Sequence, residues 1–220
     1  MSQSGRPVIV WDLPVRLFHW ALPVLLAVLY LTWRWNWMGW HALAGDALLA
    51  LVLFRLLWGC FGSETARFTL FLARPKDAAA HLAHLLKPEP DTQVGHNPAG
   101  GWMVAAMLAV LLLQTLTGLY VQNDVANEGP LTEHVPAAIA NAITDLHGIL
   151  WNVLLVLAAL HVAAILLYAT VKRHDLVRPM VTGRKHLPEG IPAPRIAKLM
   201  PAALLFACAA GITALVASFL

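Results

Sequence analysis

Four histidines stand where an ionisable side chain is expensive. His147 and His161 lie in a run of some two dozen apolar residues that offers almost nothing else polar. They are fourteen residues apart (161 − 147). On an α-helix that is about 21 Å of rise, with the rotation back to within about 40° of its start. Both imidazoles then point the same way, one near each face of an ~30 Å hydrocarbon layer. His19 falls a turn inside another apolar block, and His41 opens a third. Side chains held at such depth need partners inside the protein.

Iron in a flat macrocycle suits these residue types. Haem takes two neutral imidazoles on its opposite faces, supplied by different helices. Zinc or copper wants three or four ligands converging on one point, and no apolar block carries HxxxH or HExxH. Two axial histidines leave no open site for oxygen, which favours electron transfer over oxygenation. The chain has no C-x-x-C-H motif, so attachment is expected to be non-covalent. Cys60 and Cys208 lie in or beside apolar segments and read as inert thiols. The competing reading takes each histidine as a satisfied polar residue, or as lining an ion or proton path in a haem-free transporter. A red preparation would end that reading.

The elements that position the histidines follow from composition. Of 220 residues, 59% are hydrophobic and 12% charged, and the apolar ones come in blocks of membrane-spanning length. The expected fold is all-α, an integral membrane helical bundle forming a single membrane domain, with spans at about 15–33, 41–59, 100–121, 147–170 and 196–219. The first block is too long for a signal peptide and lacks a small-residue cleavage site, so it reads as a retained span, kinked near Pro23. Trp33, Trp35, Trp37 and Trp40 form an interfacial belt. Residues 77–87 read as an amphipathic surface helix, and residues 136–143 as a short helix lying flat before the fourth span. His81, His84 and His134 read as ordinary surface histidines. His96 and His174 are the candidates for titratable neighbours of a substrate.

Basic residues set the orientation. The N-terminal lead and the 61–98 and 171–195 loops hold 11 of the 15 Lys and Arg, whereas the two opposite connections hold only Arg34. The formal charge of +3 therefore reflects topology rather than nucleic-acid binding. By the positive-inside rule the N-terminus is cytoplasmic and the C-terminus periplasmic. Helix direction then sorts the histidines by depth, His41 with His147 on the periplasmic side and His19 with His161 on the cytoplasmic side. Arg16 and Arg55 toward the cytoplasm and Arg34 opposite are candidates to hold haem propionates, or else anchor the membrane edge. Gly45, one turn past His41, makes room for a ring or for a packed helix. Gly118, near the exit of the third span, joins it as a candidate cofactor contact, beside the span's polar Gln114 and Thr117.

Specific phrases resemble a known family. Val10-Trp11-Asp12-Leu13-Pro14-Val15-Arg16-Leu17-Phe18-His19-Trp20, the His41–Gly45 start and the His147/His161 helix are similar to bacterial cytochrome b561 and nickel–iron-hydrogenase cytochrome b. Phe54–Gly59, Gly95–Trp102 and Leu176–Lys185 resemble the hydrogenase-type branch, and the likeness covers about residues 8–185. The resemblance implies a four-helix haem-binding core plus a fifth C-terminal helix in the bacterial inner membrane. It implies two b-type haems, each bis-histidine, and an electron-transfer subunit of a membrane oxidoreductase. Its partners would be membrane lipid, quinone and a periplasmic redox protein, whether a c-type cytochrome or a hydrogenase-like subunit. Quinone would bind near His19, Arg16 and the 95–102 turn. Some small relatives act alone as superoxide:quinone oxidoreductases, which is the alternative activity.

Overall fold

Asp12 opens the first long helix. Its carboxylate accepts the Val15 backbone N–H at 2.8 Å, the cap that satisfies an otherwise orphaned donor. The computed structural model describes residues 5–87, 89–122 and 129–218. Asp124 and Glu128, in the connection between the expected third and fourth spans, and Phe219 at the end of the expected fifth span, lie outside the described residues. A short strand β1, Arg6–Ile9, precedes α1, Leu13–Arg34, which runs unbroken through Pro23. A tight turn with Asn36 in the left-handed region (φ 56°) leads to α2, Met38–Phe61. A 3-10 turn, Glu64–Ala66, comes next, followed by α3, Phe68–Phe71, and α4, Pro75–Ala83. Asn97 caps α5, Pro98–Gly118, by taking the Gly100 N–H on its side-chain oxygen at 2.7 Å. α6, Ala137–Leu167, passes straight into a π-helical turn, Tyr168–Lys172. The chain continues through α7, Val177–Thr182, strand β2, Arg184–Leu187, and α8, Leu199–Ala217.

α1, α2, α5, α6 with its π turn, and α8 are each long and apolar enough to cross a membrane. The fold is that of a mainly helical membrane protein. The separate flat helix expected at 136–143 does not form, because those residues are the opening turns of α6. Pro136 supplies the carbonyl that the Ile139 and Ala140 amides need, and no helix breaker follows it before His147. The helix therefore has no reason to stop.

The described residues fall into two compact units. The first takes in residues up to Leu17, Leu57–Ala106 and Leu157–Ala202. Here β1 and β2 pair antiparallel, Arg6 with Leu187 through Ile9 with Arg184, which hydropathy gave no reason to expect. Gly183 makes the corner: its φ is +79° and an added Cβ would sit 2.8 Å from the Trp11 carbonyl oxygen, so only glycine fits. Trp58, fully buried, donates its indole N–H to Asp12 at 2.9 Å. His96 lies against the rings of Trp11 and Phe71, with both centroids 4.7 Å away.

Several of the basic residues counted for topology are held by acidic partners. Lys172 bonds Glu89 at 3.2 Å, Lys185 bonds Asp91 at 2.6 Å and Arg195 bonds Glu64 at 2.8 Å. The hydrogen bond from Arg195 holds the Glu64 carboxyl below its ordinary range. A carboxylate with a depressed folded pKa stabilises above its ordinary pKa and loses that contribution as pH falls through the lower, folded value. Acidification across that window is expected to release the Arg195 segment, read as protease cleavage there that Glu64→Gln already shows at neutral pH. Cleavage insensitive to both pH and the substitution would refute the assignment.

The second unit takes in Phe18–Leu56, Met107–Val156 and residues from Ala203 onward. Its core is Leu29, Ala44, Leu48, Val52, Leu111 and Leu154, apolar positions that α1, α2, α5 and α6 turn inward. Tyr30 stacks on Trp151 at 6.1 Å with the rings 8° from parallel. Many other large apolar side chains on these helices face outward, as a lipid-embedded surface requires.

Candidate functional site

The site is built on the second unit's histidines. His41 lies in the first turn of α2, and its backbone N–H bonds the Trp37 carbonyl at 3.0 Å. Its ring Nδ1 lies 3.0 Å from the Leu29 carbonyl oxygen of α1, with Thr32 Oγ1 at 3.4 Å. A carbonyl only accepts, so Nδ1 carries the proton and Nε2 keeps its lone pair.

His147 on α6 reaches the same state by another route. Its Nδ1 lies 2.9 Å from Thr117 Oγ1. The Thr117 hydroxyl directs its own proton to α5 carbonyls, Leu113 at 2.8 Å and Gln114 at 3.0 Å. It must therefore accept from His147 Nδ1–H, leaving Nε2 as the lone-pair nitrogen. The Gln114 side-chain amide N–H sits 3.0 Å from that nitrogen. The amide N–H is thus an electrophile placed where a metal ion would stand. The Gln114 amide oxygen is buried with no hydrogen-bond partner among the described residues, so the amide loses little by turning aside.

Two neutral imidazoles of the same tautomer, each fixed by a hydrogen bond at Nδ1 and open at Nε2, are the donor set an axially ligated haem requires. Space agrees: a Cβ built on Gly45 meets nothing within 4 Å. Among the described residues, nothing approaches the face where the Gly45 side chain would be. Gly118 does a different job. A Cβ there would lie 3.2 Å from His147 Cε1, so its bareness seats the imidazole.

The remaining candidates are dispersed. His161 lies partly buried in the first unit, and His19, whose ring meets Trp20 edge-on at 4.9 Å, belongs to the second. Arg16 bonds the Val181 carbonyl at 2.7 Å. Arg34 is exposed in the last turn of α1, where the helix dipole favours a cation. Arg55 is buried, 2% exposed. His174 reaches the Glu89 carbonyl at 2.8 Å, and His84 and His134 are exposed. His81 is no free surface residue, since its Nε2 bonds the Tyr168 hydroxyl.

Sequence reading left Thr32, Gln114, Thr117 and the Leu29 carbonyl without roles. A faint signal existed for two of them: Gln114 and Thr117 share a helix face by their three-residue spacing, in a span otherwise almost wholly apolar. Among the described residues, no three His, Cys, Asp or Glu side chains come together as a metal site. A family model described as prokaryotic cytochrome b561 matches residues 10–183. No match is found among curated proteins or among solved structures.

Proposed function

The chain belongs to the prokaryotic cytochrome b561 family and is a membrane b-type cytochrome that binds haem and transfers electrons; on that premise we propose that it holds two haems b and links the quinone pool to a periplasmic redox protein. His41 and His147 ligate the periplasmic-side haem, and His19 and His161 the cytoplasmic-side one. The observation that carries the reading is the matched tautomer of His41 and His147, with both Nε2 lone pairs presented and both Nδ1 protons spoken for. When bound, haem supplies one-electron chemistry; the chain supplies ligation, spacing and a dry surrounding. Leu29 and Thr117 orient the imidazoles, Gly118 seats one ring, and Gly45 leaves space beside the other. Arg16, Arg34 and Arg55 are the cations for the propionates. The N-terminus is cytoplasmic, the C-terminus periplasmic, and the membrane is the bacterial inner one.

Haem quantified per purified chain by pyridine haemochrome tests this directly, with a stoichiometry of two expected. A folded, colourless chain, or one with a single haem, overturns it. Reduction of the haem by added quinol tests the link to the quinone pool. Superoxide-dependent quinone reduction by the chain alone would move the assignment to a self-sufficient oxidoreductase.

Thr117 gives a finer check. Thr117→Val keeps the volume but removes the acceptor at His147 Nδ1. Second-sphere losses of this kind cost roughly 10–100-fold in metal affinity. Haem retention at the His147 site is expected to fall by about that factor, with a shifted midpoint potential for that haem alone. Unchanged affinity and potential would show that Thr117 does not orient the ligand.

A further inference from the structure

α6 does not end in an ordinary cap. At Tyr168 it widens into a π-helical turn, a rare form frequent at functional sites, and it closes at Arg173 with φ 58°. Tyr168 follows His161 by seven residues, two helical turns or about 10 Å further along nearly the same face. Its side chain is buried, 7% exposed, yet its hydroxyl bonds two polar side chains from elsewhere in the first unit. Asn97 Nδ2 lies 2.9 Å away and His81 Nε2 is within hydrogen-bond reach.

The direction of this chain is fixed at its Asn97 end. Asn97 Oδ1 already accepts the Gly100 N–H at 2.7 Å, so the amide must turn its NH₂ toward Tyr168. The Tyr168 oxygen therefore accepts from Asn97, and it donates its own proton to His81 Nε2 in the tautomer that leaves that nitrogen bare. One lone pair of the hydroxyl stays uncommitted, and His81 is partly exposed on α4. A buried hydroxyl is thus wired outward to a histidine that reaches solvent.

We infer that Asn97, Tyr168 and His81 form a proton-exchange site for a quinol headgroup, the Tyr168 oxygen taking the substrate's hydroxyl proton as it passes its own to His81 Nε2. The inference rests on the quinone reading above. The bookkeeping closes: oxidation of one quinol to quinone releases two protons and two electrons. The electrons would be taken up singly by b-type haem, which the four histidines above would hold. Each proton leaves through the relay, and the His81 imidazolium discharges it to water at its exposed edge. Quinone reduction runs the same steps in reverse.

The surroundings favour a neutral His81 as acceptor. Burial lowers its pKa, and the Lys172 ammonium lowers it further. Lys172 has a side chain 1% exposed and sits 5.6 Å from the Tyr168 ring centre. His84 at the C-terminal cap of the same helix adds to the effect, while Glu89, paired with Lys172, opposes it. His174 and Asp91 complete the titratable groups acting on Tyr168. A tyrosine that merely anchored the helix end would need neither a fixed donor direction nor a solvent-reaching acceptor.

The test uses the haem-loaded full chain in liposomes with decylubiquinol as reductant, followed by stopped-flow haem absorbance. Tyr168→Phe and His81→Ala are expected to slow reduction by roughly 10²-fold, the scale of general acid–base catalysis. Haem content and dithionite-reduced spectra should stay unchanged. Imidazole in the buffer should restore His81→Ala but not Tyr168→Phe. Nitrogen-15 NMR of the histidines, which needs no turnover, should show His81 protonated at Nδ1 and bare at Nε2, with the Nε2 signal moving in Tyr168→Phe. Variants as fast as wild type, a slow His81→Ala that imidazole does not rescue, or a His81 protonated at Nε2 would each overturn the relay alone. Wild-type haem that decylubiquinol cannot reduce would overturn the quinone reading and the relay with it.

Discussion

Replacing His147 with alanine is expected to strip about half the haem from the purified chain and leave the rest spectrally normal. The substitution removes the Nε2 lone pair and leaves Thr117 Oγ1 and Gln114 Nε2, now 2.9 Å and 3.0 Å from ring nitrogens, facing an apolar gap. Each buried polar group so orphaned costs about 1–3 kcal/mol, so the pocket closes over rather than waiting for another ligand. His41→Ala should empty the same site, and the double substitution should lose no more than either single one. His161→Ala and His19→Ala should together define the other site. Haem per chain, combined with redox titration of the surviving centre, distinguishes these outcomes. Should His19→Ala and His147→Ala abolish the same spectral component, the sorting of ligands by depth is wrong.

Asp12→Ala is expected to produce the largest loss of stability outside the haem sites. One carboxylate serves two partners, the Val15 amide that starts α1 and the indole N–H of fully buried Trp58. A lost cap costs about 1 kcal/mol, and a buried donor deprived of its acceptor about 1–3 kcal/mol. The sum is roughly 2–4 kcal/mol. Asp12→Asn keeps an amide oxygen for the cap and should recover part of that. Thermal unfolding in detergent, followed by tryptophan fluorescence, measures both. A change below about 0.5 kcal/mol, the range of an indifferent surface substitution, would show that the pair is not structural. Substituting Phe54 should disturb packing against Phe206, 5.8 Å away, more than haem content.

Facing was legible because it is local. Helical rise and rotation alone place His147 and His161 on one face, and hydropathy alone marks the apolar blocks around them. The same local rules failed at 136–143. They treat a change of hydropathy as the end of an element, whereas a helix stops only where caps or breakers stop it, and α6 begins at Ala137. The β1–β2 ladder escaped notice for a different reason. Eight residues separated by most of the chain pair through backbone groups, which leave almost no compositional trace.

The chain alone determined on which helices the candidate histidines lie and which of them share a face, since helical periodicity acts over one or two turns. The folded protein decided how they are held. Leu29 and Thr117 accept the Nδ1–H hydrogen bonds of the two imidazoles, Gly118 cradles His147, and Tyr168 joins Asn97 to His81. A hydrogen bond depends on fractions of an ångström between groups 12 to 87 positions apart, and residue spacing carries no information about such distances until the helices have packed.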